Sequence, residues 1–207
     1  EENIKILLKH EIPHISAYAL TVEPNTPLSV LIRKGKAASV IDDNCIRQFE
    51  ILQEQLQNNN YHHYEISNFG KEGYFSKHNV SYWTGEKYLG LGPSAHSFDS
   101  ENRYWNISNT TKYIESIENG LIPREAEILT NTQKINEYLM TSLRTMWGCD
   151  LKKITADFGK DVHNKTLNSS EKFIQKGWMI NKNYHLILTN KGKLFADGIA
   201  SELFLEQ

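Results

Sequence analysis

Apolar positions recur along this chain in two rhythms. Ile4, Leu7 and Leu8 share one face of a helical wheel, and so do Ile46, Phe49, Leu52 and Leu56 further on. Between them, His14-Ile15-Ser16-Ala17-Tyr18-Ala19-Leu20-Thr21-Val22 is mostly apolar on both faces. That pattern predicts a strand of a parallel sheet covered by helices. Thr26 before Pro27 predicts a short capped helix ending near Gly35, and Asp42 or Asp43 can cap the next, which Asn58-Asn59-Asn60 stops. Tyr61 to Ser67 alternates as a strand, Asn68 to Gly73 reads as a loop, and a second strand is expected around Leu89 and Leu91. A helix over Thr110 to Asn119 would turn Tyr113, Ile114 and Ile117 inward, with Gly120 at its C-cap. The opening helix and strand look like the second half of a helix–strand unit, so the chain reads as entering a larger fold partway.

The pattern changes after Pro123. Thr130 or Asn131 caps a long helix carrying Ile135, Tyr138, Leu139, Leu143 and Met146, closed by Gly148. Helices over Leu151 to Phe158 and Asp161 to Lys176 end at Gly159 and Gly177. Trp178-Met179-Ile180 and His185 to Thr189 flank a hairpin turn, and Asn190 starts a last helix through Phe204. The first part is α/β in its order of elements. The second, three helices with a hairpin and a closing helix, is winged-helix-like. The boundary falls near residues 121–130, giving domains over 1–125 and 126–207.

Composition narrows the functional classes. The apolar fraction is 39%, enough for a real core. A net charge of -2 argues against non-specific binding to nucleic acid or anionic membranes. The helix from Asp161 to Lys176 carries Lys165, Lys172 and Lys176 but also Asp161 and Glu171, and no arginine, so a DNA-reading helix is not expected. Cys45 and Cys149 form no C-x-x-C pair, so neither a disulfide framework nor a metal box is expected, and reduced thiols suit a cytoplasmic protein. No secretory signal or bilayer-spanning apolar run is visible.

The densest chemistry lies in Ser76-Lys77-His78-Asn79-Val80-Ser81-Tyr82-Trp83, followed by Tyr88-Leu89-Gly90-Leu91-Gly92-Pro93-Ser94-Ala95-His96-Ser97-Phe98. Imidazoles ligate metals and carry protons, aromatic rings offer flat faces, and glycines beside a strand admit a close ligand. Glu65 and Asn68 end a strand and enter a loop, where barrel-like folds place active-site groups. His14, opening the first strand, is a further candidate to face a ligand. His62 and His63 point to opposite sides of a strand and cannot share a metal; they read as surface residues.

These segments, together with His14 to Pro24, Tyr64-Glu65-Ile66-Ser67-Asn68-Phe69 and Thr189-Asn190-Lys191-Gly192, resemble the radical S-adenosylmethionine (SAM) proteins related to oxygen-independent coproporphyrinogen III oxidase. The likeness is strongest to their haem-chaperone branch, spans essentially the whole chain, and keeps motif order and spacing. It implies the C-terminal portion of a partial TIM-like barrel followed by the winged-helix-like domain. It implies haem bound by the matches to H-N-x-x-Y-W, namely His78, Asn79, Tyr82 and Trp83, with His78 on the iron. It also implies SAM contacts at Val80, Ser81, Gly90, Gly92, Ala95 and His96. The family's three closely spaced cysteines are absent here, so SAM cleavage and the 4Fe-4S cluster would need an N-terminal barrel half. The partners implied are haem or porphyrinogen and haem-receiving respiratory proteins. The other readings are the oxidase itself, which converts coproporphyrinogen propionates to vinyl groups by a 5′-deoxyadenosyl radical, and a stand-alone winged-helix binding module.

Overall fold

The structure is a computed structural model, and it describes residues 1–206. The chain divides into two compact units, Glu1–Ser76 and Lys77–Gln207.

In the first unit α1 (Glu2–Lys9) precedes β1 (His14–Ser16), α2 (Pro27–Arg33), α3 (Asp42–Asn58), β2 (His62–Glu65) and β3 (Asn68–Gly70). The sheet order is β1-β3-β2 and both pairings are antiparallel. The parallel sheet expected from the first apolar run is therefore corrected. The cause is local. Ile66 and Ser67 turn the chain straight back, so residues expected in a loop become β3 and pair with both neighbours. One side of the sheet packs on α1 and α3 through Ile4, Ile15, Leu56, Tyr61 and Phe69, with Leu7, Leu8, Ile51 and Leu52 around them. Thr26 caps α2 as expected, its hydroxyl accepting from Ser29 N–H at 3.2 Å. At α3 the cap position is Ile41; Asp42 and Asp43 sit inside the first turn, where their charge suits the helix dipole. The strand predicted through Val22 stops at Ser16. Beyond Ala17, whose N–H reaches the Ser67 carbonyl, that stretch has no ladder, and Tyr18 is 73% and Leu20 61% exposed.

The second unit starts with α4 (Lys77–Trp83) and an antiparallel meander of β4 (His96–Phe98), β5 (Asn102–Asn106) and β6 (Arg124–Ile128), with α5 (Thr110–Glu118) between the last two. The strand expected around Leu89 and Leu91 shrinks to one bridge, Tyr88 to Phe98. Residue 126 lies within β6, directly opposite Tyr104. Ile114 and Ile117 lie half exposed on α5 rather than inward.

Then follow α6 (Asn131–Leu143), β7 (Cys149–Asp150), α7 (Leu151–Phe158), α8 (Lys160–Gln175), β8 (Met179–Lys182), β9 (His185–Leu188), a 3-10 turn (Gly192–Phe195) and α9 (Ala196–Leu203), so the single last helix predicted from Asn190 is broken in two. Thr130 forms a complete capping box with Gln133. Asp150 caps α7 by accepting from Lys152 and Lys153 N–H. The sheet order is β7-β9-β8, and the β8–β9 turn places Asn183 and Tyr184 at positive φ, the twist a two-residue hairpin requires. The core between α6, α7, α8, α9 and this sheet holds Leu139, Leu143, Leu151, Ile154, Phe173, Met179, Leu186 and Ile199. Gly148 sits at φ +70°, and a Cβ there would collide with the Leu186 carbonyl. No helix is long and apolar enough to cross a membrane among the described residues.

Candidate functional site

The residues singled out above fall on three pieces of structure. The first is α4, a helix of seven residues. Helical spacing puts His78 and Tyr82 one turn apart on one face. The two rings meet edge to face at 5.0 Å, and the His78 side chain is otherwise exposed. Tyr82 continues to Tyr88 at 4.8 Å, and Tyr88 to Phe98 at 6.2 Å, so one series of rings runs from α4 to β4. Trp83 lies under the Arg144 guanidinium, 5.2 Å from the ring centroid. Its indole N–H is buried and has no hydrogen-bond partner. Asn79 and Val80 are half-buried, and the Ser81 hydroxyl donates to the His78 carbonyl at 2.8 Å.

The second piece is the loop from Leu89 to Ala95. Gly90 and Gly92 are required here by the chain itself. A Cβ on Gly90 would strike the backbone of His96, and Gly92 adopts φ +103°. The loop is held by side chains with no place in any motif. Buried Asn106 donates its amide to the Gly90 and Gly92 carbonyls at 3.2 and 2.9 Å. Ser97 Oγ accepts from Gly90 N–H at 2.9 Å, and the Tyr113 hydroxyl from Gly92 N–H at 3.2 Å. Ala95 is tied through both its N–H and its carbonyl. What the loop offers outward is apolar, Leu89 and Leu91 at 73% and 80% exposure, with the exposed ring of His96 next to Trp105 at 6.4 Å. The N–H groups of Gly90, Gly92 and Ala95 are thus all engaged within the chain. A single Asn near the end of a strand carried no sequence signal.

The third piece belongs to the first unit. Glu65 ends β2 and Asn68 opens β3, and both are buried. The Glu65 carboxylate accepts from Ser67 N–H at 3.0 Å and from the Asn68 amide at 2.5 Å, and Asn68 in turn accepts from the Ser16 hydroxyl at 2.7 Å. The pair braces the β2–β3 turn and ties it to β1. His63, expected at the surface, is buried: it stacks on Phe69 at 4.1 Å, and its ring nitrogens meet the Ile66 carbonyl and the Gln53 amide. His62 does point out, as strand alternation demands, and faces Glu72 at 3.4 Å. His14 meets the Tyr64 hydroxyl at 2.7 Å, and burial lowers its pKa.

A cleft of about 990 Å³ opens in the second unit between α4, the β4–β5 hairpin and α6, with Tyr82, Trp83, Tyr88, Phe98, Tyr138 and Thr141 on its walls. Its charged rim is largely self-neutralised. Arg103 pairs with Glu137 and Glu127, Lys134 with Glu101, and Lys153 with Asp157 at 2.5 Å. Burial raises the pKa of the Tyr88 phenol, so the ring is neutral at any physiological pH. Cys149 is buried with its thiol pushed up to about 12 by desolvation, and is no nucleophile. Among the described residues no group of three His, Cys, Asp or Glu is arranged to hold a metal ion.

Comparison with known proteins shows what the chain is similar to. The HemN C-terminal domain family matches residues 129–195. The heme chaperone HemW of Bacillus subtilis is 30% identical over 200 residues, covering 96% of this chain and 53% of that protein. HemW of Mycobacterium tuberculosis is 28% identical, over 93% of this chain and 47% of its own length. The chain thus spans about half the length of these curated relatives. Among solved structures, the coproporphyrinogen III oxidase HemN of Escherichia coli, a radical SAM enzyme, superposes with a TM-score of 0.67 at 17% identity. The match covers 98% of this chain and 51% of that one, a likeness of fold.

Proposed function

We propose that this chain, HemW/HemN-like in sequence and radical SAM in fold, takes part in haem handling as a chaperone that binds haem and delivers it to respiratory proteins. One observation carries the reading: α4 displays an exposed imidazole, His78, with Tyr82 packed against it on the same helical face. A neutral imidazole is a haem-iron ligand, and the adjoining aromatic ring gives the macrocycle a surface to lie against. The HemW relatives, matched over nearly the whole chain, support it.

In this reading SAM and a 4Fe-4S cluster belong to the complete protein, the cluster being held by an N-terminal barrel half. Val80, Ser81, Gly90, Gly92, Ala95 and His96 form the wall offered to the adenosine. Residues 1–125 supply later parts of a TIM-like barrel and 126–207 a winged-helix-like domain that acts as a lid or docking module, and the HemN C-terminal match falls inside the latter. The protein works in the cytoplasm.

The test is a titration with ferrous haem read at the Soret band, on the chain and its His78→Ala form. Saturable binding lost in the variant is the expected outcome. Binding indifferent to His78 overturns the ligand assignment, and anaerobic formation of protoporphyrinogen from coproporphyrinogen III by the complete protein would then assign the oxidase activity instead.

A further inference from the structure

We infer that the cleft between α4, the β4–β5 hairpin and α6 is the seat of the haem macrocycle, with Tyr88 and Phe98 as affinity-determining residues outside the H-N-x-x-Y-W motif. The inference rests on the haem reading of His78 and extends it to residues that reading does not include.

Two observations point the same way. The aromatic series is continuous: His78 to Tyr82 at 5.0 Å, Tyr82 to Tyr88 at 4.8 Å, Tyr88 to Phe98 at 6.2 Å. It begins at the exposed imidazole and ends inside the cleft, whose walls include Tyr82, Tyr88 and Phe98. A planar ligand fixed at His78 and extending along α4 past the next turn, about 5.4 Å on, meets these rings in succession. The size also fits, since about 990 Å³ lies at the upper end for small-molecule and cofactor sites.

Charge sets the orientation. Arg103, Lys134 and Lys153 on the rim are each occupied by a carboxylate, and Glu86 adds a further negative group. The cleft is therefore no sink for a dianion. The apolar edge of the macrocycle enters it and the two propionates stay in water. An iron-free, uncharged-edge tetrapyrrole fits the same cleft more weakly, lacking the bond to His78.

The test uses ferrous haem on His78→Ala, Tyr88→Leu, Tyr88→Phe and Thr141→Phe. Thr141→Phe narrows the cleft from the α6 side, far from the motif. Circular dichroism of each variant checks the fold. Loss of the aromatic surface in Tyr88→Leu is expected to raise Kd about three- to tenfold with the Soret maximum unmoved, because the iron ligand is intact. Thr141→Phe is expected to weaken binding similarly, and Tyr88→Phe to bind as the parent does. If His78→Ala loses haem while Tyr88→Leu and Thr141→Phe bind normally, the seat is elsewhere on α4 and this inference falls alone. If His78→Ala binds normally, the haem reading of His78 falls and takes this inference with it.

Discussion

At the scale of single residues, the polar side chains with most consequence are those that lock other groups in place. His14 shows this with a pH dependence. Tyr64, fully buried, accepts Ser76 N–H at 3.2 Å, and its hydroxyl meets His14 Nε2 at 2.7 Å. Burial lowers the pKa of His14 from 6.5. A group with a depressed folded-state pKa stabilises the fold above its unfolded value and loses that contribution as pH falls through the folded value. The denaturation midpoint is therefore expected to drop between pH 7 and pH 5, and to drop less in His14→Gln; chemical denaturation at the two pH values measures it. An equal drop in both proteins would place the sensitivity on another group.

At the scale of elements, the Gly90–Ala95 loop and α4 differ in what holds them. α4 is a short helix whose residues also pack against α6, whereas the loop has no ladder and depends on Asn106, Ser97 and Tyr113. Asn106→Ala leaves two carbonyls without their donor and is expected to cost about 1–3 kcal/mol. Hydrogen exchange should show the loss first at the amides of Gly90 and Gly92. Uniform loss across β5 would mean that Asn106 supports the strand rather than the loop. Much of the element pattern is legible in the chain: Thr130 with Gln133, Asp150, Gly159 and Gly177 mark helix ends where they occur. β5 and β6 are not legible. Arg124-Glu125-Ala126-Glu127-Ile128 is charged and largely exposed, and it becomes a strand only because β5 lies beside it to take its hydrogen bonds.

At the scale of the whole molecule, residues 77–207 form a compact unit of their own. Expressed separately, residues 77–206 are expected to retain helical circular dichroism and amide protection in α6 and α9, whose facing surfaces include Leu139, Leu143, Ile199 and Leu203. Haem binding by that piece would place the whole seat in it, since His78, Tyr82, Tyr88 and Phe98 all lie there. A molten, unprotected product would show that the unit borrows stability from the rest of the chain.

The sequence by itself determined the mixed helix and strand content, the helices α6, α7 and α8, the caps at Thr26 and Thr130, the β8–β9 hairpin and the set of motif residues, because these follow from periodicity and from side chains bonding to backbone a few positions away. It also carried the resemblance on which the haem reading rests. Only the tertiary structure decided that the sheets pair antiparallel, that His63 and Glu65 are interior, that Gly90 answers to the His96 backbone, and that Tyr88 and Phe98 join Tyr82 in one cleft. Each of these is a relation between residues distant in sequence or across a turn. Pairing partners and burial are set by which surfaces meet, and no local pattern encodes that.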